Sequence, residues 1–115
     1  MLDDQGQPRL TCGAAGGPRI INAVLQTIIG VLDRSLSVEA AIAAPRVHHQ
    51  WAPDELVMEP EWDEAVVETV RSFGHSLASP ARLAVAQAIE QTSSGRLEGA
   101  RDPRLQIVNT AVRSR

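Results

Sequence analysis

The sequence predicts an α+β or layered α/β domain. Three observations carry that expectation. An apolar stripe at helical spacing runs from Pro18 to about Leu32. Further helical stretches alternate with short runs of strand character. The alternating run Leu83–Gln91 turns at Ser93-Ser94-Gly95 and returns through "RLEGARD", which is a hairpin pattern.

The elements follow in order. "LDDQGQPRL" reads as two short strand pieces around a turn, with Gln5-Gly6 at its tip. Gly16-Gly17-Pro18 then opens the first helix. Proline suits a first helical turn, where its missing N–H loses no bond. Ile20, Ile21, Val24, Leu25, Ile28, Ile29, Val31 and Leu32 give the helix a wide apolar face, so it is expected to be largely buried. Ser35 or Ser37 can cap a second helix that runs through Ala43 and stops at Pro45. Residues 45–55 read as irregular, and 55–59 as a strand. Pro60 is expected to start a third helix with Glu61, Asp63 and Glu64 in its first turn. Trp62, Val66, Thr69, Val70 and Phe73 would form its inner stripe, and Gly74 its C-terminal cap. "HSLAS" is expected to be a short strand.

Composition bounds the function. The chain has 115 residues, enough for one domain or part of one. Hydrophobic residues make up 43%, which supports a core, and aromatics only 3%, so that core is aliphatic. Every basic residue is arginine. The net charge of −3 gives no reason to expect nucleic acid. From Arg96 onward the chain carries +3, which reads as solvated surface. Cys12 is the single cysteine, so no internal disulfide forms, and it is expected to be a small buried hydrophobe. The polar, acidic amino terminus is not a signal peptide, and no apolar run is long enough to span a membrane. Localisation is otherwise open.

Candidate sites are few. The glycine pair lets the backbone turn sharply and approach another group. A helix amino terminus beside it offers unpaired N–H donors and a partial positive charge. The bland reading is a tight turn. The functional one is an anion cradle. The Lys-Ser/Thr that closes a phosphate loop is absent. An oxyanion hole needs only two convergent N–H groups. His48 and His49 are adjacent and point apart in extended chain, and no cysteine or carboxylate completes a metal set, so no metal and no cofactor are expected. One histidine should pack inside with its ring hydrogen-bonded while the other faces water. Trp51 is expected to be a packing anchor, its N–H on a buried acceptor. Asp102-Pro103 reads as a turn, with the carboxylate on nearby backbone N–H groups.

"GAAGGPRI", "APRVHHQW.PDEL" and the late "GA.DPR" (Gly99, Ala100, Asp102, Pro103, Arg104) stand in an order and separation that resembles the carboxy-terminal part of the gamma-glutamyltranspeptidase, or glutathione hydrolase, family. The likeness runs from about Asp3 to about Arg104. It implies an amino-terminal-nucleophile hydrolase with a layered αββα sandwich. Residues 1–115 would then be a single domain, the C-terminal portion of a small subunit. It implies a precursor that cuts itself into two subunits. The new amino-terminal Thr attacks a gamma-glutamyl carbonyl, as in glutathione. Gly16 and Gly17 fall on the family's oxyanion-hole glycines. Ala14-Ala15 and Pro18 stand where the family often has serine or another small residue.

The family's Thr-Thr-His motif does not occur in these residues, and Thr11, Thr27, Thr69, Thr92 and Thr110 do not match it. The Ser-Ser-Met-Ser-Pro segment and the Arg and Asp that hold the glutamyl group are not matched either. No catalytic residue is therefore assigned. The expected partners are gamma-glutamyl compounds in the full enzyme, the large subunit and the rest of the small subunit, with no nucleic acid and no membrane. The tail "LQIVNTAVRSR" leaves the family's Gly-rich pattern. The alternative is a non-catalytic relic that acts as a binding or interaction module.

Overall fold

A computed structural model describes residues 1–105. The tail beyond Leu105, with Thr110 and the last two arginines, lies outside the described residues. The chain builds a three-stranded antiparallel sheet from β1 (Leu10–Ala15), β4 (Val85–Gln91) and β5 (Leu97–Arg101), in the order β1-β4-β5. Helices α1 (Ile20–Leu32) and α2 (Val38–Ala43) cover one face of it. A second small sheet pairs β2 (Val47–His48) with β3 (Val57–Met58), and α3 (Glu64–Ser72) follows. This is the layered α+β arrangement that the sequence predicts.

Alternation explains the sheet. Leu10, Ala86 and Ala88 turn inward onto Val31, Val38, Ala41 and Ile42, with Cys12, Ala14 and Ala100 at the margin of that core. Small residues in the strands let the helices sit close. The hairpin is as expected: Thr92 receives the Gly95 N–H, and β4 pairs β5 from Gln87↔Arg101 to Gln91↔Leu97. The first turn also forms. Asp3 Oδ1 accepts from the N–H groups of Gln5 and Gln7, and Leu2 bridges Pro8.

Ser37 is the cap of α2, its side chain accepting from the Ala40 N–H. Ala44 is extended before Pro45, as the proline demands. Gly74 follows α3 with a positive φ of 92° and closes the end by donating to the Arg71 carbonyl.

The structure corrects the following expectations. The first helix is apolar on two sides but buries only one. Ala23, Thr27, Gly30 and Val31 face the core, while Ile21 is 72% exposed and Leu25 is exposed too. The third helix starts at Glu64, with Asp63 capping the Ala65 N–H, so Pro60 and Trp62 lie in the turn before it. Its stripe is not an inner one: no residue of α3 is buried, and Phe73 is exposed. "HSLAS" forms one bridge, Leu56↔Leu77, rather than a strand. Residues 45–55 are not wholly irregular, because Val47–His48 pair with Val57–Met58.

The anchoring tryptophan is Trp62. Its indole N–H donates to the Arg46 carbonyl at 3.0 Å. Trp51 is 83% exposed. Cys12 is half-buried, and that burial pushes its thiol pKa up against the opposing influence of the Thr27 side chain and the charge of Arg46.

Candidate functional site

The glycine pair sits where β1 ends and the first helix begins. β1 pairs β4 up to Ala15↔Val85. Gly16 follows with φ 143° and Gly17 with φ 60°, both backbone conformations that side chains rarely adopt. Pro18 lies in a short 3-10 turn, Gly17–Arg19, which runs into α1. The turn is closed by the Ile20 N–H on the Gly17 carbonyl and the Arg19 N–H on the Gly16 carbonyl.

The N–H groups of Gly16 and Gly17 find no acceptor among the described residues, and both glycines are exposed. Two neighbouring donors at a helix start can hold a negative oxygen.

The two glycines answer to different constraints. A Cβ at Gly16 would lie 2.8 Å from Ala84 Cα and 2.9 Å from Ala84 Cβ. A Cβ at Gly17 would meet open space, so only its positive φ asks for glycine there. Gly16→Ala must therefore push backbone apart, and is expected to lower stability by about 1–3 kcal/mol, read as a fall in the thermal midpoint.

The histidines divide as expected. His48 is buried: its Nδ1 meets Asn22 Nδ2 at 3.0 Å and its Nε2 meets Gln50 Oε1 at 2.9 Å. An amide donor on Nδ1 leaves the proton on Nε2, so these partners fit the neutral ring. His49 is half-exposed, with Nε2 3.0 Å from Asp54 Oδ1 and Nδ1 accepting from the Trp51 N–H. Gln26 ties α1 to the same segment, donating to the Val47 carbonyl and accepting from its N–H.

Two motif segments that lie far apart in the sequence meet in a buried charge network. Arg46 is 2% exposed and Asp102 0%. Arg46 Nη1 donates to Asp102 Oδ2 at 2.9 Å, and Nη2 donates to the Ile42 carbonyl. Arg104 reaches Asp102 Oδ1 at 3.0 Å and both oxygens of Glu59. It also donates to the carbonyls of Ile42 and Ala44, capping α2 from the far end of the chain.

Glu59, which nothing in the sequence marked, completes the set. It accepts from the N–H groups of Arg46 and Leu83. Asp102 accepts from those of Ala86 and Arg104. Two cations thus face two anions, with Arg46 Nε alone unpartnered among these side chains. Burial alone would raise both carboxyl pKa values. For Glu59 the Arg104 guanidinium and the Leu83 and Arg46 N–H groups outweigh burial; for Asp102 the Ala86 and Arg104 N–H groups and both arginines do, so both lie below the usual range. The turn expected at Asp102-Pro103 is present, but its carboxylate is a buried hub.

Four threonines lie among the described residues. Thr27 Oγ1 donates to the Ala23 carbonyl and Thr69 Oγ1 to the Ala65 carbonyl. Thr92 sits in the hairpin turn, bonded to Ser94 and Arg96. Thr11 lies within β1, its nitrogen in a peptide bond opposite Ile89.

Comparison with known proteins gives the geometry its relatives. The glutathione hydrolase proenzyme of Escherichia coli is 38% identical over 99 residues, 86% of this chain and 17% of that protein. The glutathione hydrolase proenzyme of Arthroderma benhamiae is 37% identical over 93 residues, 81% and 16% of the two chains. This chain thus spans about a sixth of the length of these relatives. The crystal structure of the Helicobacter pylori gamma-glutamyltranspeptidase T380A mutant superposes with a TM-score of 0.84 at 32% identity, over 91% of this chain and 58% of that one. Cephalosporin acylase from Bacillus halodurans shares the fold at 23% identity, with a TM-score of 0.77 over 86% of this chain and 19% of that one. The gamma-glutamyltranspeptidase family model matches residues 1–112. On that match, and on more than one curated relative above the 30% level, the chain belongs to the gamma-glutamyltranspeptidase family.

Proposed function

We propose that this chain contributes the oxyanion hole for gamma-glutamyl acyl transfer, through the N–H groups of Gly16 and Gly17. The observation that carries the reading is the turn itself: two consecutive glycines in positive φ, exposed, with donors at a helix start that find no acceptor among the described residues. Negative charge develops on the carbonyl oxygen when a nucleophile attacks. Donors already aimed at that oxygen stabilise the transition state without reorganising.

The nucleophile is read as coming from elsewhere in the family's enzyme. Such an attack needs a threonine whose own amino group acts as base. Among the described residues no threonine has one: Thr11, Thr27, Thr69 and Thr92 all lie inside the chain. The residues are read as a single domain, the C-terminal portion of a small subunit, with the large subunit and the rest of the small subunit as partners and gamma-glutamyl compounds such as glutathione as substrates of the whole.

Uncovered surfaces support that reading. The helices cover one face of the main sheet, while Ile89 and Leu97 stand exposed on the other. Ile21 and Leu25 stand exposed on the outer side of α1. Patches of this kind mark surfaces that associate.

The test compares two proteins with a chromogenic gamma-glutamyl anilide. One is the 115-residue chain. The other is the E. coli relative with this chain grafted in place of its matching 99 residues. No turnover is expected from the first and turnover from the second. Turnover by the short chain, lost in Thr11→Ala, would make Thr11 the nucleophile and overturn the reading. A graft that folds and self-cleaves but never turns over would favour the non-catalytic relic.

A further inference from the structure

We propose that Ala84 is the positioning residue of the glycine turn, and that the buried charge network fixes the turn by holding the backbone on either side of Ala84. The inference deepens the oxyanion-hole reading and rests on it for its catalytic consequence alone.

The connection is continuous. Glu59 Oε1 accepts the Leu83 N–H at 2.8 Å, and Arg46 Nη1 donates to the Leu83 carbonyl at 3.2 Å. Asp102 Oδ2 accepts the Ala86 N–H at 2.7 Å. Three backbone groups within four residues are therefore bound to buried ionised side chains. Between them Ala84 is forced to a φ of +49°, a left-handed conformation that costs an alanine energy and persists only where its surroundings impose it.

The strained corner faces Gly16. Ala84 Cα and Cβ stand where a Cβ on Gly16 would be. On one side Ala15 pairs Val85, and on the other Arg19 Nη1 approaches the Arg82 carbonyl at 3.4 Å. Past the last strand pair, Ala15↔Val85, the two segments thus stay in contact at 16–84 and, through the Arg19 side chain, at 19–82. A shift of Leu83 or Ala84 must therefore move Gly16, and with it the direction of the two N–H groups.

Ala84→Gly separates positioning from bulk stability. Glycine relieves the left-handed strain and removes one of the two atoms that wall in Gly16, so the variant folds. Selective 15N-glycine labelling of the 115-residue chain gives eight backbone signals. In Ala84→Gly the Gly16 and Gly17 signals are expected to shift or broaden, while Gly95, in the far hairpin turn, stays in place. Glu59→Gln is expected to move the same two signals, because an amide presents a donor where Leu83 or Arg46 also donates. Unchanged Gly16 and Gly17 signals in folded Ala84→Gly would overturn the proposal, as would shifts spread equally to Gly95. In the graft, Ala84→Gly is expected to lower kcat at unchanged KM. Shifted glycine signals with kcat unchanged would keep the positioning and remove the oxyanion-hole reading.

Discussion

Asp102→Ala is expected to remove about 3–5 kcal/mol of stability, the cost of leaving a buried charge without its partner. That is a large share of the roughly 5–15 kcal/mol that holds a domain together. The reason is in the contacts. Asp102 neutralises Arg46, shares Arg104 with Glu59, and satisfies the N–H groups of Ala86 and Arg104. Without it, a fully buried guanidinium keeps only the carbonyls of Ile42 and Leu83. Urea unfolding followed through Trp62, whose indole is bonded to the Arg46 carbonyl, should show a lower midpoint at an unchanged slope. Arg71→Ala breaks only the exposed pair with Glu68 and should cost about 0.3–0.5 kcal/mol. Equal effects from the two substitutions would contradict the account.

The same network sets a pH dependence. Glu59 and Asp102 have folded pKa values below their unfolded ones. A depressed acid contributes stability that is fully present above the unfolded value, roughly pH 4 for a carboxylate, and is lost as pH falls through the lowered folded value. Stability should therefore be flat above that range and decline below it. Asp102→Ala should decline less steeply, because one of the two groups is gone.

How far the sequence reveals this fold depends on the kind of signal. Ser37, Gly74 and the Ser93-Ser94-Gly95 turn act within a few residues, so local chemistry marks them. The first helix is marked by its spacing, but Ile21 and Leu25 are exposed because spacing alone does not say which of two apolar sides has something to pack on. Leu10–Ala15 is hidden as a strand: glycine and alanine carry little strand preference, and its partner, Val85–Gln91, lies far along the chain. Each tryptophan stands two residues from a proline, so local sequence does not separate Trp51 from Trp62, and only the approach of Arg46 selects Trp62 as the anchor. Charged residues are rarely buried, so nothing in Glu59 itself points inward. The family's motifs mark Arg46, Asp102 and Arg104, but not that they meet. The glycine turn is legible as a turn at a helix start, whereas its contact with Ala84 is tertiary.

The most direct measurement of the central claim is the kcat of the grafted enzyme carrying Gly17→Pro, set beside Gly17→Ala. Proline removes the N–H and with it one oxyanion donor. Alanine keeps the N–H, has open space for its Cβ, and adds mainly the strain of a positive φ, about 1–2 kcal/mol. Strain in both variants is read separately, from their thermal midpoints. Loss of one donor is expected to lower kcat by about 10²–10³, with KM little changed, since the charge develops only on attack. Gly17→Ala should fall between that variant and the unsubstituted graft. A Gly17→Pro enzyme that folds, self-cleaves and turns over at the rate of the unsubstituted graft would contradict the claim that this turn holds the oxyanion.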